Sequence, residues 1–218
     1  NNNTNSSNTG LDVNFTRDDT NLESCWYSND TYEVNTTLSS CANITGVTWS
    51  EGLHNVTIWV NDSAGNENKS GVSFTINDSY VNGCKILNVA NREYTQQENI
   101  EDNSLTDVCM NITASGITFD GNGYWIKSNK NFSGVYVNSS DVTIKNANIS
   151  MNTTNGGVGI EIQGNSADRC LIENNTIYDS WRGIVIANGD YCIINENYVN
   201  NSVNTSSFFG ISITQSGA

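Results

Sequence analysis

Catalysis by this chain would have to begin from very few reactive side chains. The single histidine, His54, stands next to the strand-like run 55–60 and has no serine or cysteine nucleophile pattern around it. That setting predicts a satisfied surface imidazole and not a general base. Glycosidic hydrolysis needs two carboxylates roughly 5–10 Å apart. The acids set among apolar alternations are Asp120, Glu161, Glu173 and Glu196. Glu173 and Glu196 could meet if their segments became neighbouring strands about 4.8 Å apart. Outward acids on adjacent strands are more commonly solvated surface, so no catalytic residue is assigned. The run Asp62-Ser-Ala-Gly-Asn66 has the look of a calcium loop but lacks the terminal bidentate glutamate, which predicts a turn and no metal site. No cofactor is implied.

Two other residue classes are abundant and patterned. Eighteen Asn-x-Ser/Thr sequons begin at Asn2, Asn5, Asn14, Asn29, Asn35, Asn43, Asn55, Asn61, Asn68, Asn77, Asn111, Asn131, Asn138, Asn148, Asn152, Asn174, Asn200 and Asn204. Random placement of the same residues would give about eight, so the excess points to selected N-glycan acceptors and to a secreted chain. The candidate acceptors are Asn29, Asn35, Asn43, Asn55, Asn61, Asn68, Asn131, Asn138, Asn148, Asn152, Asn174, Asn200 and Asn204. Of these, Asn29, Asn35, Asn43, Asn131, Asn138, Asn152, Asn200 and Asn204 are expected in turns or at bends. Asn148 is expected to point outward between inward Ala147 and Ile149. The six cysteines, Cys25, Cys41, Cys84, Cys109, Cys170 and Cys192, include no CxxC pair. An even count beside a lone histidine reads as three disulfides in an oxidising compartment and not as zinc.

The net charge of −14 argues against nucleic acid and anionic membranes as partners. No apolar run approaches the roughly 18 residues of a membrane span. The opening at Asn1 reads as a mature or trimmed product.

The elements that would position these residues are strands. Residues 1–10 are a polar arm, read as a linker or as a segment that orders on binding. In 11–77, Leu11, Val13 and Phe15 alternate. The run 53–60, the turn 61–66 and the run 72–76 form a β-hairpin pattern. Residues 78–83 read as a hinge. From 84 to 218 the chain repeats. GVYV, GIEI, GIVI and GISI begin at Gly134, Gly159, Gly183 and Gly210, at spacings of 25, 24 and 27 residues. A second element lies between them at 117–124, 142–149, 170–177 and 192–199. Two short strands per period of this length predict a β-solenoid. Its inward columns would be Ile117/Val142/Cys170/Cys192, Phe119/Ile144/Ile172/Ile194 and Asn122/Ala147/Asn175/Asn197. Each repeat glycine is expected to mark the bend into its strand.

The blocks SCWYS, EGLHNVTIWVNDSAGN and VSFTIND resemble immunoglobulin-like modules of microbial, especially archaeal, surface proteins. That resemblance implies a Cys25–Cys41 bridge. Fewer strands are visible than the seven of a full sandwich, which predicts an open sheet edge. Residues 84–218 resemble the right-handed parallel β-helix of the pectin-lyase-like superfamily, with Cys84–Cys109 bridged where the helix begins. Cys170 and Cys192, on adjacent rungs, are the third expected pair. Helical pectin hydrolases carry Asn-Thr-Asp, Asp-Asp and Gly-His-Gly signatures, and none of these is present. The lyases of this fold use clustered basic residues beside calcium, whereas Arg169 and Arg182 stand isolated and Lys145 lies among asparagines. A copper site would want more soft ligands than Met110 and Met151. The expected fold is therefore all-β, a small immunoglobulin-like sandwich followed by a parallel β-helix. The expected role is an N-glycosylated extracellular structural protein, a subunit of a surface filament or layer whose partners are copies of itself. The arm and residues 11–15 would be the donated strand. A glycan-binding adhesin and a polysaccharide-degrading enzyme are the alternatives, with a glycan-array hit the test of the adhesin; Trp26, Trp49, Trp59, Trp125 and Trp181 could stack on sugars, but most are better explained as sandwich core or rung packing.

Overall fold

The computed structural model describes residues 3–18, 21–152, 156–164, 167–200 and 209–214. All regular elements among them are β-strands except one short 3-10 turn. The chain divides into two compact units, Asn1–Asp78 and Ser79–Ala218. No helix is long and apolar enough to cross a membrane.

The first unit is built on one five-stranded sheet, in the spatial order Thr4–Ser6, Glu67–Ile76, Gly52–Asp62, Leu22–Asn29, Asn35–Thr37. The expected hairpin is its centre, with Gly52–Asp62 antiparallel to Glu67–Ile76. The turn between them is closed by Asp62, whose Oδ1 accepts from the backbone N–H groups of Ala64 and Asn66 at 2.9 and 2.8 Å. Its Oδ2 accepts from the Asn66 side chain at 2.8 Å. These bonds, the Asn66 side chain first, hold the Asp62 carboxyl below the usual carboxylate range. The cap is therefore present above that range and is lost only as the pH falls through the depressed value. Gly65 supplies the positive φ of +84° that the turn requires.

One face of the sheet buries Val56, Ile58, Phe74 and Ile76 against Val13, Ile44 and Trp49. The covering layer is less than a second sheet. Its only pairing among the described residues is one antiparallel bridge, Val13 to Ile44. Trp49 anchors it by donating Nε1–H to the Leu11 carbonyl at 2.7 Å. Cys25 and Cys41 are bridged, with Cα atoms 5.1 Å apart. Two expectations change here. The arm is already part of the sheet, because Thr4, Asn5 and Ser6 pair in parallel with Phe74, Thr75 and Ile76 of the same chain. Its polar side chains carry no strand pattern, and the backbone alone makes the pairing. The edge expected to be open is thus covered from within along Phe74–Ile76, and the arm expected to be donated is paired there with its own chain.

The second unit is a parallel β-solenoid of about five turns with three faces. The first face stacks Lys85–Leu87, Met110–Ile112, Ser133–Val137, Val158–Gln163, Arg182–Ala187 and Phe209–Thr214. The second stacks Tyr80–Val81, Glu93–Gln96, Thr118–Asp120, Thr143–Lys145, Leu171–Glu173 and Ile193–Asn195. The third stacks Ile100–Glu101, Trp125–Lys127, Asn148–Ser150, Thr176–Tyr178 and Tyr198–Asn200. The third face is a correction, since the second sequence element is really two strands divided by a corner. The hinge also shrinks, because Tyr80 and Val81 pair with Thr95 and Gln96 and Val81 is fully buried.

The inward columns follow the expected parity. Val135, Val137, Ile160, Ile162 and Ile184 are fully buried, as are Ile117, Phe119, Val142, Ile144 and Ile172. One or two apolar columns per face make a thin core that lengthens by stacking, so each rung depends on its neighbours. Cys84 and Cys109 are bridged just ahead of in-register strands, with Cα atoms 4.4 Å apart. The bridge spans a sequence separation of 25, and closing a loop of that size contributes roughly 3 kcal/mol in the chain-entropy picture.

The repeat glycines do something other than bend the chain. A Cβ on Gly159 would lie 2.5 Å from Ile177 Cγ2 and 2.6 Å from the Gly183 carbonyl oxygen. Gly134 and Gly183 are equally crowded by the rung above and by the third-face column of Ile149 and Val199. The glycine column lets the first face close against the third.

The asparagine column is shorter than expected. Asn122 is exposed with a φ of 50°, and buried Gly121 lies against Ala147 in its stead. The reason is a corner of four residues between Asp120 and Trp125, where later rungs have two. The column proper is Asn175 and Asn197. Asn175 accepts from Ala147 N–H at 2.9 Å and donates Nδ2–H to the Ile144 carbonyl at 2.9 Å and to Asn197 Oδ1 at 3.0 Å. Asn197 repeats the motif, donating to the Ile172 carbonyl at 2.7 Å.

Candidate functional site

The side chains that could catalyse are dispersed or committed. Glu173 is in register with Lys145 and Asn195, while Glu196 occupies the next corner with a φ of 53°, so the two acids do not face each other. Glu161 accepts a hydrogen bond from Ser133 Oγ. Lys145 is tied to Glu93 at 3.1 Å and Asp120 at 3.4 Å, an ion-pair ladder running up the second face. Arg169 is not isolated, because Nε and Nη2 clamp Asp141 at 2.7 and 2.8 Å. That guanidinium holds the Asp141 carboxyl low. Among the described residues no group of three or more His, Cys, Asp or Glu is placed to hold a metal ion.

His54 is buried and not at the surface. Nδ1 is 3.0 Å from Asp30 Oδ2 and Nε2 is 2.7 Å from the Ser50 carbonyl oxygen. The ring packs on Trp49 and Phe74. Asp30 Oδ1 also accepts from the Asn55 N–H at 2.8 Å, so the pair ties a turn to a strand. The neighbouring serine offers its carbonyl, and no hydroxyl is placed on the imidazole. This is an architectural histidine.

Cys170 and Cys192 are free thiols, so the third expected bridge is absent. Both Sγ atoms turn to one acceptor, the Ala167 carbonyl, at 3.6 and 3.5 Å. Burial, helped by the neighbouring Cys192, pushes the Cys170 thiol up to about 12. The thiolate is the reactive form, so Cys170 is expected to resist alkylation at pH 8. Half-buried Cys192 is expected to label first. Peptide mapping after a brief iodoacetamide pulse checks this, and equal labelling of both would contradict it.

The sequons behave differently. Asn2 and Asn204 lie outside the described residues, and none of the other sixteen sequon asparagines is buried. The buried asparagine among the described residues, Asn175, is not in a sequon. Asn35, Asn43, Asn68, Asn131, Asn138, Asn174 and Asn200 are exposed, and Asn29, Asn55, Asn61, Asn148 and Asn152 are half-buried. Asn29 ends a strand and does not lie in an open turn, and its Oδ1 is buried without a partner. Asn148 does lie between buried Ala147 and Ile149. The amide nitrogen, which would carry a sugar, is engaged at Asn148, Asn152, Asn174 and Asn200. Asn148 donates to the Gly123 carbonyl at 2.6 Å, Asn152 to the Asn129 carbonyl at 2.6 Å, Asn174 to Asn146 Oδ1 at 2.7 Å and Asn200 to the Tyr198 hydroxyl at 3.4 Å. Asn43 and Asn61 use Oδ1 instead, accepting from Phe15 and Ser24.

What these residues form together is a sequon-studded, disulfide-tied all-β surface with no assembled catalytic group among the described residues. Comparison with known proteins leaves that description to stand by itself: no family model, no curated protein and no solved structure matches the chain.

Proposed function

We propose that the chain is an N-glycosylated extracellular structural protein, a subunit of a surface filament or layer. In this reading an immunoglobulin-like module precedes a right-handed parallel β-helix of the pectin-lyase-like kind, and the pair serves as scaffold. The observation that carries it is the distribution of sequons. They exceed chance about twofold, and every described sequon asparagine reaches solvent at least in part. The two disulfides support an oxidising compartment. The charged side chains spent on ladders and clamps support a scaffold over an enzyme.

Self-assembly belongs to the proposal. Phe209–Thr214 lies at the end of its sheet, with Ile211 46 % and Ile213 67 % exposed on the columns that are buried in earlier rungs. A further rung, from the same chain or from a neighbouring copy, would cover them and pair the backbone edge, and in this reading a neighbouring copy is one source of it. Such a contact, repeated head to tail, gives an open filament. Intact glycopeptide mass spectrometry of the native protein, with negative-stain microscopy, tests both parts. Glycans on several sequons and ordered polymers are expected. Bare sequons throughout would overturn the glycoprotein reading, and release of product from a polysaccharide would overturn the structural one.

A further inference from the structure

The sequons are not alike, and three of them follow by two residues an aromatic ring on an outward strand face: Asn61 after Trp59, Asn138 after Tyr136 and Asn200 after Tyr198. Asn200 Nδ2 donates to the Tyr198 hydroxyl at 3.4 Å, which sets Asn61 and Asn138 apart. Trp59-Val60-Asn61-Asp62-Ser63 lies at the end of strand Gly52–Asp62. Tyr136-Val137-Asn138-Ser139-Ser140 lies at the end of strand Ser133–Val137. Residues two apart in a strand share a face and stand roughly 6.5–7 Å apart. That separation brings the first sugar on the asparagine over the preceding ring. Val60 and Val137 between them point the other way, and Val137 is fully buried in the solenoid core.

The Trp59 ring is fixed before any sugar arrives. Trp26, its cross-strand partner, lies parallel to it, with an interplanar angle of 2° and centroids 6.4 Å apart. Trp59 Nε1–H points to Ser28 Oγ at 3.4 Å. A hollow of about 580 Å³ opens beside the ring, bounded by Tyr32, Thr57, Lys69, Ser70 and Gly71. The exposed Lys69 ammonium, 4.4 Å from the ring centroid, is the group with which a sugar would share that ring. Tyr136 is half-buried, held in its row between Asn111 and Glu161.

The two asparagines are also oriented for the chemistry. Asn61 accepts through Oδ1 from Ser24 N–H at 3.0 Å and Ser24 Oγ at 2.5 Å. Asn138 accepts through Oδ1 from Ser139 Oγ at 3.5 Å. In neither is Nδ2 seen to donate, whereas Asn148, Asn152 and Asn174 spend theirs within the protein. Attachment forms a bond from Nδ2 to the anomeric carbon of a sugar, breaks the bond from that carbon to a lipid pyrophosphate donor, and releases the pyrophosphate and a proton.

We propose that Asn61 and Asn138 are glycan-docking sites, at which the first pyranose packs its C–H face on Trp59 and Tyr136 and so braces the strand end that bears it. This rests on the glycoprotein reading above and adds a rank order among the sequons. Polarised C–H groups meet the negative face of an aromatic ring, and a ring held by its neighbours gives up little freedom to accept them.

The test uses the full-length glycoprotein. Ser63→Ala and Ser140→Ala each erase one sequon and leave the asparagine and ring untouched, while Ser7→Ala erases the sequon at Asn5, which has no aromatic residue two positions before it. Comparing their NMR spectra with the wild type identifies the first-sugar protons at each site. Those lost with Ser63→Ala and Ser140→Ala are expected to be shifted upfield by ring current, and those lost with Ser7→Ala are not. Ser63→Ala is also expected to lower Tm by about 2–4 °C more in the wild type than in a Trp59→Leu background. Because the ring-current reading needs no ring substitution, it stands even if Trp59→Leu fails to fold. Unshifted sugar protons, or bare Asn61 and Asn138 in a protein glycosylated at Asn5, would overturn the docking proposal alone. A protein with no glycan anywhere would overturn it together with the reading on which it rests.

Discussion

Gly159→Ala is expected to destabilise the solenoid by about 2–4 kcal/mol and to lower its Tm by roughly 5–15 °C. The new methyl would enter at 2.5 Å from Ile177 Cγ2 and 2.6 Å from the Gly183 carbonyl oxygen. The isoleucine is fully buried, and the carbonyl belongs to the backbone of the next rung. Neither can yield without spreading two faces of the column. Gly83→Ala is the matched control, since a Cβ there meets nothing within 4 Å and the backbone is not left-handed. Thermal unfolding of both variants decides the point. Equal stability would mean that the glycine column is a habit of the repeat and not a packing requirement.

The second large effect is expected at Asn175. Removing its side chain with Asn175→Ala strips partners from the Ala147 N–H, the Ile144 carbonyl and Asn197. Asn175 is 1 % exposed and Ala147 and Ile144 are fully buried, so water does not replace the lost bonds. Each buried group left unpaired costs about 1–3 kcal/mol, which puts the total near 3–5 kcal/mol. Asn197→Ala, at a half-buried position, should cost about 1–2 kcal/mol. Asn175→Asp separates hydrogen bonding from volume. It keeps the acceptor for Ala147 and turns a second oxygen on the Ile144 carbonyl, so it should be no better than alanine. Denaturant titration reads all three, and an Asn175→Asp variant as stable as the wild type would refute the ladder.

The solenoid was legible because its first-face columns recur with two inward residues per strand, such as Ile160 with Ile162 and Ile184 with Ile186. The third face was hidden for a physical reason. Its strands are two or three residues long and bury one apolar side chain each on the core axis, such as Ile126, Ile149 and Ile177. No alternation can show in so short a run, and a two-residue corner does not interrupt it visibly. The first-unit edge was hidden differently. Thr4–Ser6 pairs through its backbone, which sequence pattern does not report. The burial of His54 depends on Asp30, and their meeting is a product of the fold. The thiols of Cys170 and Cys192 share the register that suggested a bridge, but side-chain rotation toward Ala167 lies below what spacing can specify. At the sequons, position was legible and the fate of each amide nitrogen was not.

The pairing of Thr4–Ser6 with Phe74–Ile76 has a consequence in time as well as in space. A chain that emerges from a narrow exit, amino end first, presents its first strand long before that strand's partner. Residues 4–6 must wait until residue 76 is free, with their donors and acceptors open to any other strand that passes. The solenoid has no such delay, since each rung docks on the one that left the exit just before it. The first unit therefore leaves one strand unpaired for longer than any rung does, and that wait is an interval of risk. During that interval one molecule's leading strand can settle on another's hairpin, which makes strand exchange a matter of crowding at birth.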